Sequence, residues 1–138
     1  DVIKVPDISK HTLRIFELEQ NISNTKLCNG DSLVSNHYYA SSDYIDHDGS
    51  KLVYNIFTTD KGYKIVVKST GSSQMKKRSN LSKSLNTGRI IGGTGDFVSA
   101  EGGLQYKGTF NWKKEIININ TMILRYKIVS QDAKKVKS

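Results

Sequence analysis

Apolar and polar side chains alternate with a period of two along much of the chain. From Tyr63 to Lys68, aromatic and aliphatic residues occupy the odd positions and lysines take two of the even ones. The segment Met122–Val129 repeats the pattern, with basic residues between its apolar ones. A period of two is typical of strands with one buried and one solvated face. No apolar stripe of helical spacing persists for three turns, so the pattern predicts an all-β protein.

Eight strands are expected, separated by turns rich in Gly, Asn, Asp and Ser. They are predicted at His11–Gln20, Ser32–Ala40, Lys51–Thr59, Gly62–Ser69, Gly88–Ile91, Gly103–Asn111, Glu115–Asn118 and Met122–Val129. The third strand is apolar on both faces, so a further segment or a second copy of the chain is expected to cover it. Without helical crossovers, the strands form a sandwich or a barrel. We expect a closed antiparallel eight-stranded barrel, because closure removes open strand edges.

The remaining stretches set the expected domain organisation. Residues 1–10 are predicted to be an N-terminal extension, 11–130 a single barrel domain and 131–138 a basic C-terminal tail. The stretch 69–86, rich in Ser and Lys, is predicted to be a mobile loop. The longest apolar run is too interrupted to cross a bilayer. The chain begins with Asp1, which fits a removed signal peptide as well as a trimmed chain, and we expect a secreted or periplasmic protein.

Seven of the eleven glycines lie between Gly88 and Gly108. The segment Arg89–Gly103 is followed by strand-forming residues and contains no Gly-Lys-Ser/Thr, so neither a dinucleotide fingerprint nor a phosphate-binding P-loop is predicted. We expect its glycines to allow a sharp reversal through positive φ angles. Phe97 is then expected to plug one end of the barrel, and small residues to keep the return strand thin.

The spacing Gly-Gly-Thr-Gly-x-Phe-x-x-Ala-x-Gly resembles the signature of the allene oxide cyclase-like barrel superfamily, which includes plant dirigent proteins and small exported bacterial proteins. The matching residues are Gly92, Gly93, Thr94, Gly95, Phe97, Ala100 and Gly102. The resemblance implies an eight-stranded barrel, often trimeric in plants, whose apolar cavity binds a hydrophobic small molecule. It also implies that any activity is an isomerisation or cyclisation steered by confinement. The motif is structural in that family and transfers no catalytic role.

Polar residues in or beside predicted strands are candidates for a ligand site in the lumen. They are Glu17, His37, Tyr54, Arg89, Glu101 and Tyr106. A carboxylate in an apolar cavity has a raised pKa and can act as a general acid or base, whereas a strand glutamate can equally face water. No cofactor is predicted. No metal site is predicted either, since the three histidines lack ligand spacing and Cys28 is the only cysteine.

The formal net charge of +8 favours anionic partners. Nucleic acid is not expected, because the basic stretch 69–86 has no interleaved aromatic residues. Two hypotheses remain. The first is a barrel that binds an apolar or aromatic small molecule in its lumen, with isomerase or cyclase activity left open. The second is a non-enzymatic interaction module whose basic surface binds an acidic protein, a glycan or another anionic partner. A homodimer or homotrimer is compatible with both.

Overall fold

The computed structural model describes residues 1–76 and 78–129, which form one antiparallel sheet of eight strands. The strands are β1 (Val2–Lys4), β2 (His11–Lys26), β3 (Ser32–Ile45), β4 (Asp48–Thr59), β5 (Lys64–Met75), β6 (Leu81–Gly93), β7 (Ala100–Asn111) and β8 (Ile116–Ile128). Each strand pairs with its neighbours in sequence, so the sheet is a meander without crossovers. A 3₁₀ turn, Gly95–Phe97, lies between β6 and β7. The predicted all-β class and antiparallel arrangement are confirmed.

The sheet curves through about 190° and stays an open half-barrel, where closure was expected. Among the described residues, no backbone pairing joins β8 to β1 or β2. The short strand β1 covers only Thr12–Arg14 of β2, which leaves most of that edge without a neighbouring strand. Side chains span the opening instead: the Arg14 guanidinium lies 5.4 Å from the ring centroid of Trp112, in the β7–β8 turn.

The stretch 69–86, predicted to be a mobile loop, belongs mostly to two long paired strands. β5 and β6 pair from Ile65 opposite Gly93 to Met75 opposite Ser82, and only the residues between Met75 and Leu81 form the connection. Toward Gly93 the inward residues of this hairpin are Ile65, Val67 and Ile90, whereas those of the stretch 69–86 are small and polar, such as Ser69 and Ser82. The apolar alternation that marks a strand is therefore weak there, although the backbone pairing is continuous.

Both ends of the chain also differ in detail from the expected elements. The predicted N-terminal extension contains β1, which pairs with β2. The last two predicted strands form a single strand, β8, that is irregular near Lys107 and Gly108 of its partner. The predicted tail, 131–138, lies outside the described residues.

The core is formed by inward side chains of β3–β7 and by the 3₁₀ turn. Phe57, Ile65 and Val67 are completely buried. Phe97 is 1% exposed and packs edge-on against Tyr126 of β8, with ring centroids 5.8 Å apart. Fully burying a side chain of this size stabilises the fold by about 2 kcal/mol. Phe97 thus closes one end of the half-barrel.

The chain reverses direction within 92–103, although only one glycine of the motif has a positive φ angle. That residue is Gly95, at +56°, inside the 3₁₀ turn. Gly92 and Gly93 are the last residues of β6. Gly102 is needed for a different reason, because a Cβ atom there would lie 1.9 Å from the carbonyl oxygen of Arg125 on β8. It allows β7 and β8 to approach closely.

His11 joins the β1–β2 connection to β3. Its Nδ1 atom lies 2.7 Å from Oδ1 of Asp7, and its Nε2 atom lies 2.6 Å from Oδ1 of Asp43. The hydrogen bonds to Asp7 and Asp43 raise the pKa of His11, and the hydrogen bond to His11 lowers the pKa of Asp7. A protonated ring donating to both carboxylates is therefore the favoured state.

Candidate ligand-binding pocket

The six residues predicted to line the lumen lie on opposite faces of the sheet. Strand alternation places five on the convex, outward face: Glu17, His37, Tyr54, Arg89 and Glu101. Tyr106 alone points into the concave interior, where it is 3% exposed. The Nε2 atom of His37 lies 3.2 Å from Oε2 of Glu17, so these two meet on the outside. The structure therefore does not assemble the predicted lumen site.

A pocket on the concave side, near the β7–β8 turn, brings together a different set of residues. Its walls are six aromatic side chains: Phe16, Tyr38, Tyr44, Tyr106, Phe110 and Trp112. The cations Arg14 and Lys51, the hydroxyl residues Ser73, Ser84 and Thr109, and Gly108 complete this end pocket. The cavity that these residues enclose has a volume of about 40 Å³.

Trp112 forms the outer wall of the end pocket and is held from several sides. Its ring stands edge-on to Phe110 at 4.8 Å and to Tyr44 at 6.0 Å between centroids. Its Nε1–H donates to Oγ of Ser82 at 2.5 Å. The guanidinium of Arg14 lies over the indole at 5.4 Å, a cation–π geometry. The indole is thus fixed beside a positive charge.

Two cations, Arg14 and Lys51, line the end pocket. The Lys51 Nζ atom donates to Oγ of Ser84 and lies 5.9 Å from the centroid of the Tyr38 ring. Burial lowers the pKa of Lys51 to about 8, because desolvation disfavours the ammonium form. Neither Asp nor Glu lines the pocket. Within 1–76 and 78–129, none of the salt bridges involves Arg14 or Lys51.

The phenols of Tyr38 and Tyr106 form the inner end of the pocket. Burial raises the pKa of Tyr106 to about 12 and that of Tyr38 well above its usual value. The neighbouring Tyr106 and Tyr44 further disfavour a phenolate at Tyr38. Both hydroxyls therefore stay protonated at physiological pH and are available as hydrogen-bond donors.

Beneath the pocket, a polar cluster crosses β4–β7 in the interior of the half-barrel. The buried Oδ1 of Asn55, Oγ of Ser69, amide of Asn86 and hydroxyl of Tyr106 find no hydrogen bond of standard geometry within the described chain. The first three nevertheless lie close enough to Tyr106 to influence its pKa. An unpaired buried polar group costs about 1–3 kcal/mol. A polar group entering beside Tyr106 would thus be stabilised.

The sequence contained one signal for this pocket. Arg14 has the same strand parity as Phe16 and Leu18, whereas Lys51 lies in a strand that is apolar on both faces, so alternation marks only Arg14. A charge at such a position points inward once the apolar face is buried. Trp112 carried no comparable signal, because it lies in a turn whose position depends on the whole sheet.

Within the described ranges, no three His, Cys, Asp or Glu side chains are grouped so that they could hold a metal ion. The same ranges contain no helix that is long and apolar enough to cross a membrane. Cys28 is exposed and forms no disulfide.

Comparison of the chain with protein-family models, with curated proteins and with solved structures finds no match. The resemblance to the allene oxide cyclase-like superfamily stays a prediction from the glycine segment.

Proposed function

We propose that the protein binds a small aromatic anion in the end pocket. The observation that carries the proposal is the pairing of Arg14 and Lys51 with aromatic walls and no carboxylate. A negative group on the ligand would supply the counter-charge that neither cation receives from the described part of the chain. The ligand's ring would pack against the aromatic wall, as in other ligand sites with a few polar groups in an apolar pocket.

The end pocket is a more specific site than the lumen expected from the sequence to hold an apolar or aromatic small molecule. The middle of the half-barrel is filled by Phe57, Ile65 and Val67, and the pocket that combines aromatic walls with two cations lies at the end near Trp112. Because two cations line the pocket, the expected aromatic ligand is one that carries a negative charge. Binding is the proposed function, and the isomerase or cyclase activity implied by the resemblance stays a prediction.

Trp112 provides a direct readout of the end pocket, because it is the only tryptophan in the chain. Benzoate, benzyl alcohol and benzylamine carry the same ring with a negative, a neutral and a positive substituent. We expect benzoate to change the tryptophan fluorescence at the lowest concentration and benzylamine at the highest. Equal responses to benzoate and benzylamine, or no response to any of the three, would contradict the proposal.

Variants locate the binding within the pocket. Arg14→Gln removes a charge-assisted hydrogen bond worth about 1.5–3 kcal/mol, so benzoate affinity should fall at least about tenfold. Arg125→Gln is the matched control, since Arg125 is exposed on the convex face and does not line the end pocket. An Arg14→Gln protein that binds benzoate as tightly as the Arg125→Gln protein would show that the cation does not contact the ligand.

A second candidate function is favoured by a row of cations on the convex face. Lys68 lies opposite Arg89, and Gly103 separates Arg89 from Arg125 in the same cross-strand row. Strands are about 4.8 Å apart, so the three exposed cations repeat at short intervals across the sheet. Tyr54 continues the row next to Lys68. An acidic glycan fits best, because its charged groups can pair with the cations while a sugar ring stacks on tyrosine.

The cationic row is tested by chromatography on immobilised heparin. We expect binding that is lost between low and moderate salt, as screening removes the attraction between exposed charges. Replacing the three cations by glutamine should lower the eluting salt concentration more than replacing three exposed lysines elsewhere. Equal elution of the two variants would overturn this candidate, and tighter binding to DNA than to heparin would overturn the choice of a glycan.

A further inference from the structure

We propose that Lys51 captures the carbonyl group of a small anionic aldehyde in the end pocket as a reversible imine. The inference rests on the proposed function, since it names the ligand class of the same pocket. It starts from the placement of a primary amine inside an aromatic pocket beside an anion-binding arginine.

Among the lysines within 1–76 and 78–129, Lys51 is unusual because its side chain points inward. It follows the parity of Val53 and Phe57 on β4, both completely buried. Its Nζ atom reaches Ser84 on β6, and among the described residues it has no ion pair. A hydroxyl partner orients the nitrogen but does not stabilise its charge as a carboxylate would. The nitrogen is therefore available to a ligand.

Desolvation also favours the neutral amine, which is the nucleophilic form. With the pKa of Lys51 lowered to about 8, about a tenth of its side chains are neutral at pH 7, against fewer than about one in a thousand for a lysine of ordinary pKa. Lysines in apolar pockets become nucleophiles towards carbonyl groups in this way. The pocket thus distinguishes Lys51 chemically from the exposed lysines.

The surrounding groups match the steps of imine formation. The nitrogen lone pair attacks the carbonyl carbon, and the oxygen takes up a proton to give a carbinolamine. Loss of the amine proton and departure of the hydroxyl group as water then form the carbon–nitrogen double bond, with no oxidant or reductant needed. The protonated phenols of Tyr38 and Tyr106 stand at the inner end of the pocket and can donate to the oxygen. Arg14 would hold the ligand's negative group.

The test uses glyoxylate, the smallest aldehyde with a carboxylate, and sodium cyanoborohydride, which reduces an imine to a stable amine. The full-length protein is treated at pH 7 and the labelled lysines are identified by peptide mass spectrometry. We expect Lys51 to gain one carboxymethyl group at least about tenfold faster than Lys68, an exposed lysine on the adjacent strand. Labelling at equal rates, or none at Lys51, would overturn the inference.

Two further measurements separate this inference from the proposed function. Benzoate should protect Lys51 from labelling and leave Lys68 unaffected, and this comparison needs no variant. Lys51→Arg keeps the positive charge without the nucleophile, so it should abolish labelling at position 51 while Lys68 is labelled at the wild-type rate. Benzoate binding without trapping at Lys51 would overturn the imine alone. If the wild-type protein shows neither benzoate binding nor trapping at Lys51, the proposed binding function of the end pocket is overturned as well.

Discussion

Lys51→Met tests whether the end pocket carries an uncompensated charge. The pKa of Lys51 is lowered from 10.5 to about 8, a difference of about 2.5 pH units. At about 1.36 kcal/mol for each pH unit, the charged side chain costs the folded state about 3 kcal/mol. The variant loses the hydrogen bond to Ser84, worth about 1 kcal/mol. We therefore expect it to be more stable than the wild type by about 2 kcal/mol at pH 7.

The pH dependence of this difference has a definite sign. Because the folded pKa of Lys51 is below the unfolded one, the unfolded chain binds more protons between pH 8 and 10.5, and the wild type gains stability as the pH rises through that window. The penalty is fully present below pH 8 and is gone above pH 10.5. The advantage of Lys51→Met should therefore shrink between these values and then reverse slightly.

Urea denaturation followed by circular dichroism at pH 7, 9 and 10.5 measures the free energy of unfolding at each point. The matched control is Lys68→Met, which removes an exposed lysine from the adjacent strand and should change stability by no more than about 0.5 kcal/mol at any of these pH values. A Lys51→Met protein that is less stable than the wild type at pH 7, or a difference that stays constant with pH, would refute the reasoning.

Three further predictions concern the fold. Phe97→Ala should lower the free energy of unfolding by about 3–5 kcal/mol, because it leaves a cavity at the closed end, whereas Val98→Ala, at a residue 58% exposed, should have little effect in the same urea titration. Gly102→Ala should lower the free energy of unfolding by about 1–3 kcal/mol, because the new methyl group forces β7 away from β8. At Gly92 a Cβ atom would meet nothing within 4 Å, so Gly92→Ala should leave the melting temperature nearly unchanged. The stabilisation from His11, whose pKa its two carboxylate partners raise, should be complete below pH 6.5 and lost as the pH rises through the raised value. Melting temperatures across pH 5–9 should show this fall in the wild type and not in His11→Asn, and equal curves would contradict it.

The local part of the fold was predictable because it depends on neighbouring residues. The alternation in β4, β5 and β8 follows from the pleat of a strand, and the reversal at 92–103 follows from residues with small or absent side chains. The stretch 69–86 of the β5–β6 hairpin was missed because its inward residues include serines, a glycine and Asn86. Their polarity resembles that of a loop, yet backbone pairing with β4 and β7 holds them in strands.

The candidate site was less predictable. Alternation along a strand assigns side chains to two faces of the sheet, but it does not show which face becomes the buried, concave one. Glu17 and Arg89 lie in strands as expected, yet their side chains are on the outward face of the sheet. Arg14 could have been found as a charge that shares the strand parity of Phe16 and Leu18, but Lys51 could not, because both faces of its strand are apolar. The meeting of these two cations with Trp112 depends on the curvature of all eight strands.

What the sequence by itself determined is the all-β class, the antiparallel strands and the turn that Phe97 closes, since propensity, alternation and glycine placement act over a few residues. Only the tertiary structure decided that the sheet stops as a half-barrel, which face is concave, and that two cations share an aromatic pocket. These features depend on twist and packing summed over residues far apart in the chain, and no local pattern encodes that sum.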